Sequence, residues 1–99
     1  MNLIKEIENW YLSQCDGDWE HDKGIELTTL DNPGWRLRIN LIGTNLESQS
    51  FERLENERDK NDWLHCWKID GFFEAACGPK NLEEVLGIFI KWAKDHKAK

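Results

Sequence analysis

Much of the familiar protein chemistry is excluded by what this chain lacks. No apolar run approaches the roughly 20 residues needed to cross a membrane. The opening stretch M-N-L-I-K-E-I-E is amphipathic and acidic, and reads as neither signal peptide nor anchor. Basic residues are outnumbered, 13 Lys and Arg against 19 Asp and Glu, for a formal net charge of −6. Phosphate binding requires a basic stripe, so neither nucleic acid nor an anionic membrane is the expected partner. The sign suits a basic protein surface instead. The three cysteines, Cys15, Cys66 and Cys77, form no C-x-x-C pair and are odd in number. A disulfide framework is therefore not expected, and a reducing cytoplasm is the natural compartment. Three histidines without cysteines at ligand spacing make no zinc signature. The chain contains no phosphate-cradling glycine loop, no G-x-S-x-G and no H-E-x-x-H. No metal, cofactor or catalytic set is expected.

What remains is 99 residues, 39% hydrophobic and 32% charged, with six tryptophans. That length supports one domain, 1–99, with a single core. Asn2 can cap a first helix, along which Leu3, Ile4, Ile7, Trp10 and Tyr11 recur at helical spacing. It should end within 14–17, with Gly17 suited to a left-handed cap. A strand is expected over 24–30. Pro33 and Gly34 then fit the central positions of a type II turn. A second strand over 35–42 alternates Trp35, Leu37, Ile39 and Leu41 against Arg36, Arg38 and Asn40. The charged segment 51–58 reads as an edge strand. Strands over 63–69 and 72–77 flank Asp70-Gly71, the strongest hairpin signal in the chain. Asn81 opens a second helix, with Glu84 at capping-box spacing. Leu82, Val85, Leu86, Phe89 and Ala93 form its stripe, widened by Ile88 and Trp92. The order α-β-β-β-β-β-α, joined by hairpins, gives an α+β two-layer sandwich, an antiparallel sheet of about five strands flanked by two helices.

Two stretches are candidate partner-binding sites. The first is the acidic elbow C-D-G-D-W-E-H-D-K-G, residues 15–24. Asp16, Asp18, Glu20 and Asp22 crowd around Trp19 and His21, and unpaired carboxylates in such number are too costly to bury. Trp19 there has two readings: an aromatic anchor for a basic partner, or a side chain folded back on the core. The D-x-D-x-E-x-D alternation resembles a calcium loop fragment, but the twelve-residue register and closing glutamate are missing. The second stretch follows from the Asp70-Gly71 hairpin. Its register puts Trp63, His65, Trp67, Ile69, Phe72, Glu74 and Ala76 on one face, and Leu64, Cys66, Lys68, Phe73, Ala75 and Cys77 on the other. If the helices cover the small-residue face, then Trp63, Trp67 and Phe72, beside His65 and Glu74, are left as an apolar patch of the kind that marks interaction sites. The alternation alone does not choose the side.

Cys77 is the one candidate nucleophile. It precedes a helix start and lies near Lys80, and both features lower a thiol's pKa. A catalytic thiol also needs a base, and neither His21 nor His65 is placed beside it by the sequence.

The blocks W-Y-L-S-Q-C-D-G-D-W-E-H, T-L-D-N-P-G-W, G-T-N-L, N-D-W-L-H-C and G-P-K-N-L-E-E, in that order along the chain, resemble the immunity protein 53 family. The resemblance spans nearly the whole chain. It implies a bacterial polymorphic toxin system, in which a protein of this kind binds and neutralises a cognate toxin in the cell that makes it. Some relatives carry a sulfurtransferase-like label, which would make Cys77 the working residue of a small thiol-dependent enzyme. The expected partner is thus a toxin protein, a basic one if the charge balance is a guide.

Overall fold

The first helix, α1 (Leu3–Gln14), starts where Asn2 accepts a hydrogen bond from the Lys5 N–H at 3.1 Å, the expected N-cap. The computed structural model describes residues 2–22 and 24–96. Five strands follow a single 3-10 turn at Trp19–Asp22: β1 (Ile25–Leu30), β2 (Gly34–Asn40), β3 (Leu54–Asp59), β4 (Asp62–Ile69) and β5 (Phe72–Cys77). The second helix is α2 (Leu82–Asp95). All pairings are antiparallel, in the order β1-β2-β5-β4-β3. The architecture is the expected α+β arrangement of one open five-stranded sheet and two helices.

Placing β3 at the far edge requires the chain to cross the sheet end between β2 and β3. Residues 41–53 do this on the helix side, burying Leu41 and Leu46 completely. The crossing is tied down at several points. Lys68 Nζ donates to the carbonyls of Glu47 and Gln49, each at 2.6 Å, and Trp92 Nε1 donates to Ser50 at 3.0 Å. Phe51, expected in the edge strand, instead packs edge-on against Phe73 and Trp92, each 5.2 Å away. A large aromatic gains more from the core than from an exposed edge, so β3 begins at Leu54.

The core lies between one sheet face and α2. Leu37, Ile39, Leu64, Cys66, Phe73, Ala75 and Cys77 meet Val85, Leu86, Phe89, Ile90, Trp92 and Ala93. The Asp70-Gly71 turn has positive φ at both residues, 52° and 83°, as a type I′ hairpin requires, and Ile69 opposes Phe72 in the expected register. Helix α1 packs beside α2, with the Trp10 ring 4.9 Å from Phe89. Ile4 remains 59% exposed, so the apolar stripe of α1 is narrower than its periodicity suggests.

Three local expectations are corrected. Helix α1 ends at an extended Cys15, and Gly17, with φ of 98°, turns the elbow rather than capping the helix. Gly34 is not at positive φ, so the turn is not type II. Its glycine is required because a Cβ there would lie 2.3 Å from the Cys77 carbonyl oxygen on β5. Asn81 makes no side-chain cap to α2. Its Nδ2 donates to Asp62 and Glu84, and its Oδ1 accepts from the Trp63 N–H, which fastens the helix start to β4 instead. Gly34→Ala is accordingly expected to cost about 2 kcal/mol, as overpacking against backbone cannot be relieved by rotamer change; a urea midpoint unchanged from wild type would contradict this.

Candidate functional site: the uncovered sheet face

Both helices and the 41–53 crossing lie on the Cys66, Ala75 and Cys77 side of the sheet. Among the described residues the opposite face is left uncovered. Alternation along β4 and β5 places Trp63, His65, Trp67, Phe72 and Glu74 on it, so the structure decides the side that the sequence left open. Each of these aromatics is half-buried by its neighbours. Arg36 and Arg38 reach the same face from β2, opposite Ala76 and Glu74.

Charge on this face is held in fixed geometry. Glu74, only 8% exposed, sits centrally and accepts from Arg36 Nη2 at 2.7 Å, while Arg38 Nε lies 3.6 Å from its other oxygen. The Arg38 guanidinium is 3.9 Å from the Phe72 ring centroid, and Arg53 is 5.2 Å from that of Trp67. Such stacks add cation–π attraction to apolar cover. At the β3 side His65 Nε2 lies 2.9 Å from Glu57, and its ring meets Trp63 edge-on at 5.8 Å. Arg53, by hydrogen bond and charge, holds the Glu55 carboxyl below its ordinary value. The face is thus an aromatic band, cationic toward β2 and anionic toward β3. A shallow depression of about 570 Å³, lined in part by Glu57, Arg58, Lys60, Trp63 and His65, opens at its β3 margin.

The acidic elbow is built differently from its sequence reading. Trp19 is 6% exposed and belongs to the core. Its Nε1 donates to the Asn40 carbonyl at 3.0 Å, and its ring packs against Trp10 and Tyr11 at 5.7 and 5.6 Å. Gly24 lies so close that a Cβ would fall 2.5 Å from the indole. Of the two readings of Trp19, its burial matches the side chain folded back on the core: the large indole finds a glycine-lined slot and a carbonyl partner within the chain. Asp16 and Glu20 serve the turn itself. Asp16 Oδ1 accepts from the N–H groups of Trp19 and Asp18, which lowers its pKa in that order of importance. Glu20 accepts from Asp16 and Gly17, and backbone N–H groups, its own foremost, lower its pKa as well. Asp18, His21 and Asp22 project into solvent. The sequence held a signal for this division, since Asp at 16 followed by Gly17 and Asp18 is Asx-turn chemistry.

Cys77 is 1% exposed and burial pushes its thiol up to about 11, opposite to the depression a nucleophile needs. Cys66, fully buried, is pushed up to about 12 by the same cause. Neither thiol is placed for nucleophilic work. A thiol reagent at neutral pH should modify only Cys15 in the folded protein, with Cys66 and Cys77 following on unfolding. Peptide mass mapping reads this, and rapid native labelling of Cys77 would overturn it. Among the described residues no three His, Cys, Asp or Glu side chains converge as a metal site would require, and no helix is long and apolar enough to cross a membrane.

These features define a small α+β domain with one sheet face covered by helices and the other presenting ordered aromatics and guanidinium groups. The chain belongs to the immunity protein 53 family, whose model matches residues 4–94. No curated protein and no solved structure matches it.

Proposed function

We infer that this protein is an immunity protein that binds a cognate toxin directly, and that the uncovered sheet face is where it binds. The observation carrying the reading is the set Trp63, Trp67 and Phe72 held beside Arg36, Arg38 and Arg53 on the sheet, with no helix over it among the described residues. Tryptophan and arginine are the residue types enriched at binding hot spots. Here the guanidinium groups are already fixed by Glu74 and by ring stacking, so less rotamer freedom is lost on association. His65 and Glu74 belong to the same surface. Family membership supports a toxin as the partner. Neutralisation then requires only that the bound protein block or distort the toxin, with no turnover.

The elbow contributes at the margin. Trp19 ties it to Asn40, which pairs with Phe72, so the elbow hangs at the Phe72 end of the sheet. Asp18 and Asp22 there, together with the net charge of −6, favour a toxin with a basic surface. Asp16, Glu20 and Trp19 act by holding this segment in shape.

A toxin identified from the protein encoded beside this one would supply the test. Purified separately, the two proteins should form a stable complex, and Asp18→Asn with Asp22→Asn should slow association and flatten its salt dependence without changing melting. Absence of binding to that toxin, with both proteins folded, would overturn the reading.

A further inference from the structure

Among the described residues the sheet has two free edges, and they are protected very differently. Strand β3, L-E-N-E-R-D, carries four charged residues and a register irregularity between Glu57 and Asp59, both of which discourage pairing with another chain. Strand β1, I-E-L-T-T-L, has one charge, no proline and an unbroken ladder to β2. Leu27, at its middle, is 45% exposed. Nothing in the sequence of β1 blunts this edge.

The direction of its free backbone groups follows from the bonds at the strand end. The Asn40 N–H donates to the Gly24 carbonyl, whereas the Leu41 N–H donates to that of Gly71, just before β5. Even-numbered residues of β2 therefore bond toward β1 and odd ones toward β5. Gly24, Glu26, Thr28 and Leu30 in turn face β2, which leaves the N–H and C=O groups of Ile25, Leu27 and Thr29 pointing away from the sheet.

We propose that β1 pairs antiparallel with β1 of a second copy of this chain, about a two-fold axis at Leu27. Only that axis satisfies all three outward residues at once: Leu27 opposes Leu27 of the second copy, and Ile25 opposes its Thr29. The pairing is also compatible in charge. Glu26, the sole charge of the strand, then faces a Thr28 hydroxyl, and no like charges meet. A six-residue edge buries less than a standard interface, so the dimer is weak and concentration-dependent. The axis runs perpendicular to the sheet, so both uncovered faces point the same way. If those faces bind toxin, as inferred above, the dimer presents two binding surfaces side by side.

Sedimentation equilibrium of the full chain without toxin, from about 10 to about 500 µM, tests this independently of toxin binding. Wild type should shift from monomer to dimer across the range. Leu27→Lys, which sets two cations across the axis, should weaken dimerisation at least about tenfold. Thr29→Pro, which removes an outward donor but no ladder bond, should do the same. Asn56→Lys on β3 should leave it unchanged, and circular dichroism confirms the fold of each variant. A wild-type monomer at every concentration, a dimer indifferent to both β1 changes, or one abolished by Asn56→Lys would each overturn the proposal. A chain that stays monomeric would leave β1 free for a strand of another protein.

Discussion

Trp19→Ala is expected to destabilise the fold by about 3–5 kcal/mol, the range for removing a large buried aromatic. The ring is 6% exposed and sits between Trp10, Tyr11 and Gly24. Its loss leaves a cavity at the junction of α1 and the sheet end, and leaves the Asn40 carbonyl without its indole donor. The elbow is then untethered, because Asp16 and Glu20 order it only locally. Denaturant unfolding reads the effect directly. Toxin dissociation from the folded fraction should be unchanged, with association slowed only by as much as the untethered Asp18 and Asp22 contribute. If the variant melts like wild type yet loses toxin binding, Trp19 is a contact residue after all. Trp19→Phe, which keeps most of the volume but not the N–H, should recover most of the loss.

Trp67→Ala is expected to act in the opposite sense, weakening toxin binding by roughly 2 kcal/mol, about a 30-fold faster dissociation, with a much smaller change in stability. Trp67 opposes Glu74 in the sheet and lies under Arg53, on the face without a helix. Its removal opens no internal cavity, since that side of the sheet is not the core. Phe72→Ala should resemble it and in addition free Arg38, whose guanidinium rests 3.9 Å from the ring. Surface plasmon resonance against the toxin, paired with thermal unfolding, separates the two properties. Unchanged dissociation for both variants would remove the sheet face from the interface and leave the elbow as the remaining candidate. The pair Trp19 and Trp67 is thus diagnostic: one tryptophan should fail in folding, the other in binding.

Local chemistry wrote much of this plan. The Asp70-Gly71 pair specifies its own type I′ geometry, and with it the β4–β5 register and the partition of Trp63, His65, Trp67, Phe72 and Glu74 from Cys66, Ala75 and Cys77. The helical stripe of α2 is equally self-declaring, because 3.6-residue periodicity and burial coincide there. The Asn2 cap needs only its neighbours within one turn. Where an element depends on distant partners the local signal misleads. Gly34 looks like a turn glycine and is required by β5, and Asn81 opens α2 as expected but turns its side chain to β4 and Glu84 rather than to the helix N–H groups. Phe51 lies in a charged stretch and packs against the core.

The sequence by itself determined the two helices, the antiparallel sheet, the division of β4 and β5 into two faces and the acidity of the elbow, since each arises from contacts within a few residues or from a tight hairpin. Only the tertiary structure decided which sheet face is covered, because periodicity defines two sides and α2 must choose between them by volume. The small side chains Cys66, Ala75 and Cys77 leave room for Val85 and Phe89, whereas Trp63 and Trp67 do not. Tertiary structure likewise decided the place of Trp19. An indole flanked by carboxylates is equally consistent with an anchor for a partner and with a pin for the fold, until Gly24 closes against its ring and the Asn40 carbonyl is brought to it from 21 residues away.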